Sequence, residues 1–180
     1  MAADPGRLID ALVAGGVEFV VIGGVALVLH GSARTTGDLD VCYSRSAHNL
    51  ATLEHALAPF HPTLRGAPSD LPFRLDAATL RAGLNFTLST TAGDLDLLGE
   101  VAGVGAFADV ARDAVTMELQ GRRVRVMSLD TPRAVAAICS ISPRSARSGG
   151  GSGHDTSITA ARGPRTAGAG RAARPAPHGS

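Results

Sequence analysis

Two aspartates, Asp38 and Asp40, stand one residue apart in "GSARTTGDLDV", just where the chain turns apolar. Side chains at i and i+2 of a strand project from the same face. On a strand, then, these carboxylates face each other side by side and repel unless a cation lies between them. The stretch is therefore either a solvated turn or half of a metal site. The apolar run before it, "VEFVVIGGVALVLHG", ends its β-branched part in Gly23-Gly24. A strand, a glycine-led helix and an acidic strand follow one another within about 25 residues, and few folds accommodate that order.

The rest of the chain bounds the choice. It has 180 residues, 44% hydrophobic, with 3% aromatics and no Trp, so its core is built from Leu, Val, Ala and Ile. All 17 basic residues are Arg, a codon signature of GC-rich DNA. Cys42 and Cys139 are the only cysteines, which excludes a disulfide framework or a multi-cysteine zinc site. The N-terminal "MAADPGRLIDALVAGG" lacks a basic n-region leading into an apolar core. The longest apolar run is too short and too punctuated to span a bilayer. These features predict a cytoplasmic protein with no membrane partner.

Composition breaks near residue 140. Residues 141–180 contain no Leu, Val, Phe or Met and carry six Arg against one acid, a net +5. The first 140 residues carry eleven Arg against fifteen acids, a net −4. The reading is a folded domain over 1–140 and a disordered basic Gly/Ser/Arg/Pro-rich tail over 141–180, because such a tail cannot bury enough apolar surface to offset its ordering entropy. Sparse Arg and the lack of interleaved aromatics argue against specific nucleic-acid binding by the tail. The break in helical pattern at "ICSISPRS" fits a native tail or one translated out of frame.

Within the domain, periodicity predicts a helix over "GRLIDALVAGG", a buried strand over 17–22, a helix over "GGVALVLHG" and a strand over "DLDVCY". A helix follows with Ser46 as N-cap. Next come two strands, "GLNFTLST" and "DLDLLGEV", joined by "TAGD", then a short helix or loop at "GVGAFADVARDA". A hairpin turning at Gln120-Gly121 and a last helix from "SLDTPRAVAA" complete the series. This order implies an α/β (α+β) domain, a mixed sheet with helices mainly on one face. His30 reads as packing at a helix end, His48, His55 and His61 as surface positions, and Arg122, Arg123 and Arg125 as a solvated hairpin edge.

The acidic pattern recurs in "GDLDLL", with Asp94 and Asp96. Carboxylates converging from two strands suit Mg²⁺, which takes oxygen ligands shared with substrate phosphates, and two such ions support in-line phosphoryl displacement. Glycines at a strand–helix junction let a backbone approach a ligand, and the free N–H groups there favour phosphate. In this combination "GGVALVLHGSARTTGDLDV" resembles the signature of polymerase-β-type nucleotidyltransferases, in the flavour of the small bacterial AbiEii-like and minimal nucleotidyltransferases. The resemblance covers roughly residues 5–135. It implies a nucleotidyltransferase-like palm, with Asp38, Asp40 and Asp96 holding two Mg²⁺, and Gly23, Gly24 and Arg34 contacting the NTP. Asp94 rivals Asp96 as third ligand. The implied activity moves an NMP from an NTP to an acceptor hydroxyl, with an antitoxin-like protein as a possible partner. The rival readings are an inactive nucleotidyltransferase-like binding module and a truncated remnant, because the Lys/Arg-bearing closing helical segment of many relatives is replaced by the tail.

Overall fold

The structure, a computed structural model, describes residues 4–33, 37–68, 70–119, 121–130 and 132–141. The expectations for residues 142–180 and for Arg34 lie outside the described residues. Helix α1 (Pro5–Ala14) leads into β1 (Phe19–Ile22), α2 (Gly23–Leu29), β2 (Asp38–Tyr43) and α3 (Ala47–Leu57). A 3-10 turn (Ala58–Phe60), β3 (Thr63–Leu64), α4 (Ala77–Ala82), β4 (Asn85–Thr90) and β5 (Gly93–Leu98) come next. Then follow β6 (Glu100–Val101), β7 (Gly105–Ala106), α5 (Phe107–Arg112), the hairpin strands β8 (Val115–Leu119) and β9 (Arg122–Val126), and α6 (Pro132–Ile141). The mixed α+β fold matches the sequence expectation, and α6 runs one residue past the expected 140 boundary.

Several short elements were not expected: the 3-10 turn, β3, α4, and the β6–β7 pair, where the sequence reads one strand through Val101 and a short helix or loop after it. A two-residue strand shows no period to read. Helix α4 announces itself only by its cap, Asp76, whose carboxylate accepts a 2.8 Å hydrogen bond from the Thr79 N–H. The expected Ser46 cap is present, its hydroxyl accepting from the Asn49 N–H at 3.2 Å. Strand β1 starts at Phe19 rather than at residue 17, because the Glu18 N–H is taken by the Asn49 side chain, at 2.7 Å.

Seven strands form one sheet in the order β3-β4-β5-β2-β1-β9-β8, and β6 and β7 form a separate pair. Strands β2 and β5 run parallel, as do β1 and β9. The β1–β2, β3–β4, β4–β5 and β8–β9 pairs are antiparallel. One face is apolar: Val21, Leu39, Val41, Tyr43, Leu88, Leu95, Leu97 and Val126 are all fully buried. They join one core with Leu8 and Leu12 of α1, Leu50, Leu53 and Leu57 of α3, and Leu80 of α4. Helix α2 lies against β1, β2 and α6, and begins over the other face, where Gly23 meets the Asp40 side chain. Val28 on α2 and Val135 on α6 stay 40% and 41% exposed, so the apolar surface here is only partly covered.

Asn49 is a buried polar group with full partners. Its amide donates to the carbonyls of Glu18 (3.1 Å) and Ser44 (2.8 Å) and accepts from Glu18, tying α3 to the entry of β1 and the exit of β2. Arg45 performs a similar service for α4. Its guanidinium donates to the carbonyls of Leu80, Arg81 and Gly83 at the helix end and to the Tyr43 hydroxyl. Removing the Asn49 amide strands the Glu18 N–H and the Ser44 carbonyl, while the Glu18 carbonyl keeps its 3.0 Å bond from the Ser44 N–H, so Asn49→Ala is expected to cost about 2–3 kcal/mol. Thermal denaturation should show this as a Tm lowered by roughly 4–12 °C.

Candidate active site

Parallel pairing of β2 with β5 sets Asp38 opposite Asp94 and Asp40 opposite Asp96. Within each strand the aspartates are two residues apart, so all four carboxylates occupy one face, in a two-by-two array. The sequence left Asp94 and Asp96 as rivals for a third ligand. The structure brings both into the array, with Asp96 beside the most buried member, Asp40.

Asp40 is only 5% exposed. Burial is the main cause that pushes its carboxyl up to about 7, helped by the charges of Asp96 and Asp38 and opposed by the Gly24 N–H and Arg65. Burial also raises Asp96, with Arg65 pulling against it and Asp38 adding to it. The glycine pair is explained locally by this carboxylate. A Cβ on Gly23 would fall 2.0 Å from Asp40 Oδ2, and Gly23 holds φ +64°, a conformation side chains disfavour. Gly24 follows with its N–H bonded to the same carboxylate.

The countercharge comes from a residue the sequence reading passed over. Arg65 directly follows β3, and its N–H bonds to the Thr87 carbonyl at 2.9 Å. From there its side chain reaches across β4 into the array. Nη1 stands 3.4 Å from Asp38 Oδ2 and 3.2 Å from Asp94 Oδ2, while Nη2 pairs with Asp96 Oδ1. Asp94 also accepts a 2.9 Å bond from the Ser89 hydroxyl. Arg65 Nε is buried and has no hydrogen-bond partner among the described residues, a vacancy worth about 1–3 kcal/mol. The only sequence trace of this arrangement is an Arg after "HPTL", unreadable without its strand.

The remaining candidates fall elsewhere. His30 Nε2 lies 2.9 Å from the Met127 carbonyl and joins the end of α2 to the end of β9. His48, His55 and His61 are exposed. Arg122, Arg123 and Arg125 are exposed too; Arg122 pairs with Asp10 at 2.5 Å, and Arg125 donates to the Ala111 carbonyl. Cys42 is buried, and burial pushes its thiol up to about 12.

Among the described residues, no three His, Cys, Asp or Glu side chains are gathered closely enough in this arrangement to hold a metal ion. A guanidinium stands among the carboxylates instead. The donor set nonetheless fits a hard divalent cation in kind: oxygen ligands only, on two adjacent rigid strands, beside a glycine that leaves room at Asp40.

The mixed seven-stranded sheet and its helices are similar to a nucleotidyltransferase fold. The structure is similar to that of TM1012 of Thermotoga maritima, a presumed nucleotidyltransferase, with a TM-score of 0.50 over 76% of this chain and 81% of that one. Sequence identity is 15%, so the likeness concerns the fold and does not reach the AbiEii-like group. No protein-family model matches the chain, and no curated protein sequence does.

The Gly23 geometry gives a direct check. Gly23→Ala is expected to cost at least about 2 kcal/mol in urea denaturation, through both its φ and the clash with Asp40. Gly37→Ala, where a Cβ meets nothing within 4 Å, should stay within about 1 kcal/mol of the parent.

Proposed function

We propose that the protein is a Mg²⁺-dependent nucleotidyltransferase that moves an NMP from an NTP to an acceptor hydroxyl. The observation that carries this reading is the register of β2 against β5, which sets Asp38 and Asp40 beside Asp94 and Asp96 on one face of a nucleotidyltransferase-like sheet. Asp38, Asp40 and Asp96 would hold Mg²⁺, which when bound neutralises phosphate charge and lowers the pKa of a coordinated hydroxyl. Gly23, Gly24 and Arg34 are assigned to the nucleotide. In the reaction the acceptor oxygen forms a bond to the α-phosphorus as the bond to the β-phosphate oxygen breaks, releasing pyrophosphate. Asp96, less buried than Asp40, takes the acceptor proton. The acceptor is RNA, protein or a small molecule, and a toxin–antitoxin setting with a protein partner suits a domain of this size. Among the described residues no helix is long and apolar enough to cross a membrane, and the proposed location is the cytoplasm.

A second reading is favoured by one observation, the Arg65 guanidinium seated among the carboxylates. It makes the protein a nucleotidyltransferase-like binding module without turnover.

Isothermal titration of the full chain with a non-hydrolysable NTP, with and without Mg²⁺, separates the two. The enzyme reading expects Mg²⁺-dependent binding that Asp38→Asn/Asp40→Asn weakens by at least about 100-fold, the scale of losing charged contacts worth some 3 kcal/mol. Binding that ignores both Mg²⁺ and the double substitution would establish the binding module.

A further inference from the structure

We propose that Arg65 is a displaceable counterion: it holds the carboxylate array together until a divalent cation enters, then leaves for the cleft beside β3. The inference rests on the metal-site reading above and adds a residue that no sequence pattern assigns to it.

Three features of the contact point to a placeholder rather than a permanent salt bridge. The first is charge. Arg65 touches three carboxylates, Asp38, Asp94 and Asp96, with one positive charge, which leaves an excess of two negatives. A divalent cation in its place would leave an excess of one, so it neutralises the three carboxylates better than one guanidinium does. The second is fit. The Nη1 contacts, at 3.2 and 3.4 Å, are longer than charge-assisted hydrogen bonds, which cluster near 2.7–2.9 Å. The guanidinium's planar fork can serve one carboxylate well but not three at once, and Nε is left buried without a partner among the described residues.

The third is room to move. Arg65 itself lines a cleft of about 330 Å³ with Thr63, Leu64, Gly66, Phe73 and Ser89. The backbone at Arg65 is fixed by its bond to Thr87, so a change of side-chain rotamer is enough to carry the guanidinium from the array into this cleft. Arg65 is thus a positioning residue, acting on the cation through the carboxylates.

The test is Mn²⁺ binding to the full chain without nucleotide, followed by electron paramagnetic resonance, together with Tm with and without Mn²⁺. If Arg65 occupies the site most of the time, Arg65→Gln should bind Mn²⁺ about tenfold tighter or more, because the competent state no longer has to be populated against it. Arg65→Lys, which keeps the charge but loses the fork, should fall between the two and keeps the test open if Arg65→Gln folds poorly. Both variants should melt below the parent without metal and gain more Tm than the parent from Mn²⁺. If Mn²⁺ binds the parent and both variants equally, and Asp38→Asn/Asp40→Asn abolishes it, the counterion proposal falls while the metal site stands. If both variants only lose Tm and gain no affinity, Arg65 is a plain structural bridge and the proposal also falls. If neither the parent nor a folded variant binds Mn²⁺, the metal-site reading itself is wrong and the proposal goes with it.

Discussion

Four carboxylates on one face of two paired strands form the constraint around which this domain is arranged. Neighbouring strands lie about 4.8 Å apart, and at that spacing two like charges repel by roughly 3 kcal/mol even at an effective dielectric of 20. Nothing in the core relieves that repulsion. It is relieved locally, by burial that favours protonated Asp40, by the Gly24 N–H at the start of α2, by the Ser89 hydroxyl and above all by Arg65. Packing four carboxylates this closely costs stability, and the proposed function gives that cost a purpose, a site that takes a cation and a polyanionic substrate together.

The same alternation that creates the strain also fixes it in place. Leu39 and Val41 of β2 lie opposite Leu95 and Leu97 of β5 on the apolar face, all without exposure. A slip of one residue would send these four into the polar face and the aspartates into the core. Hydrophobic burial therefore sets the register, and the register sets the spacing of the carboxylates. Helices α1, α3 and α4 lock that arrangement from below, with Asn49 and Arg45 fastening the ends of β1, β2 and α4. The site is rigid because it sits on central strands, while its countercharge comes from the edge of the sheet, on a long side chain after a two-residue strand.

The acidic floor sits on central strands and its basic countercharge on a long side chain from the sheet edge, and the displacement proposed for Arg65 builds on that division. Gly23 contributes at the junction: by omitting a Cβ it lets Asp40 approach the start of α2, which ties the helix to the carboxylates.

Read alone, the sequence determined the repetition of Asp-Leu-Asp, the Gly-Gly junction, the caps at Ser46 and most strands and helices. These depend on local period and on side-chain chemistry within a few residues, and both are visible in one dimension. Through the family resemblance it grouped Asp38 and Asp40 with either Asp96 or its rival Asp94, but could not seat both, because which strands become neighbours is a property of the sheet. Only the tertiary structure decided that β2 pairs with β5 in register. Only it revealed Arg65 as the countercharge, some 30 residues from each aspartate it touches. Such a partner leaves no periodic trace, since a long side chain crossing an intervening strand answers to three-dimensional distance and charge, and the chain records neither.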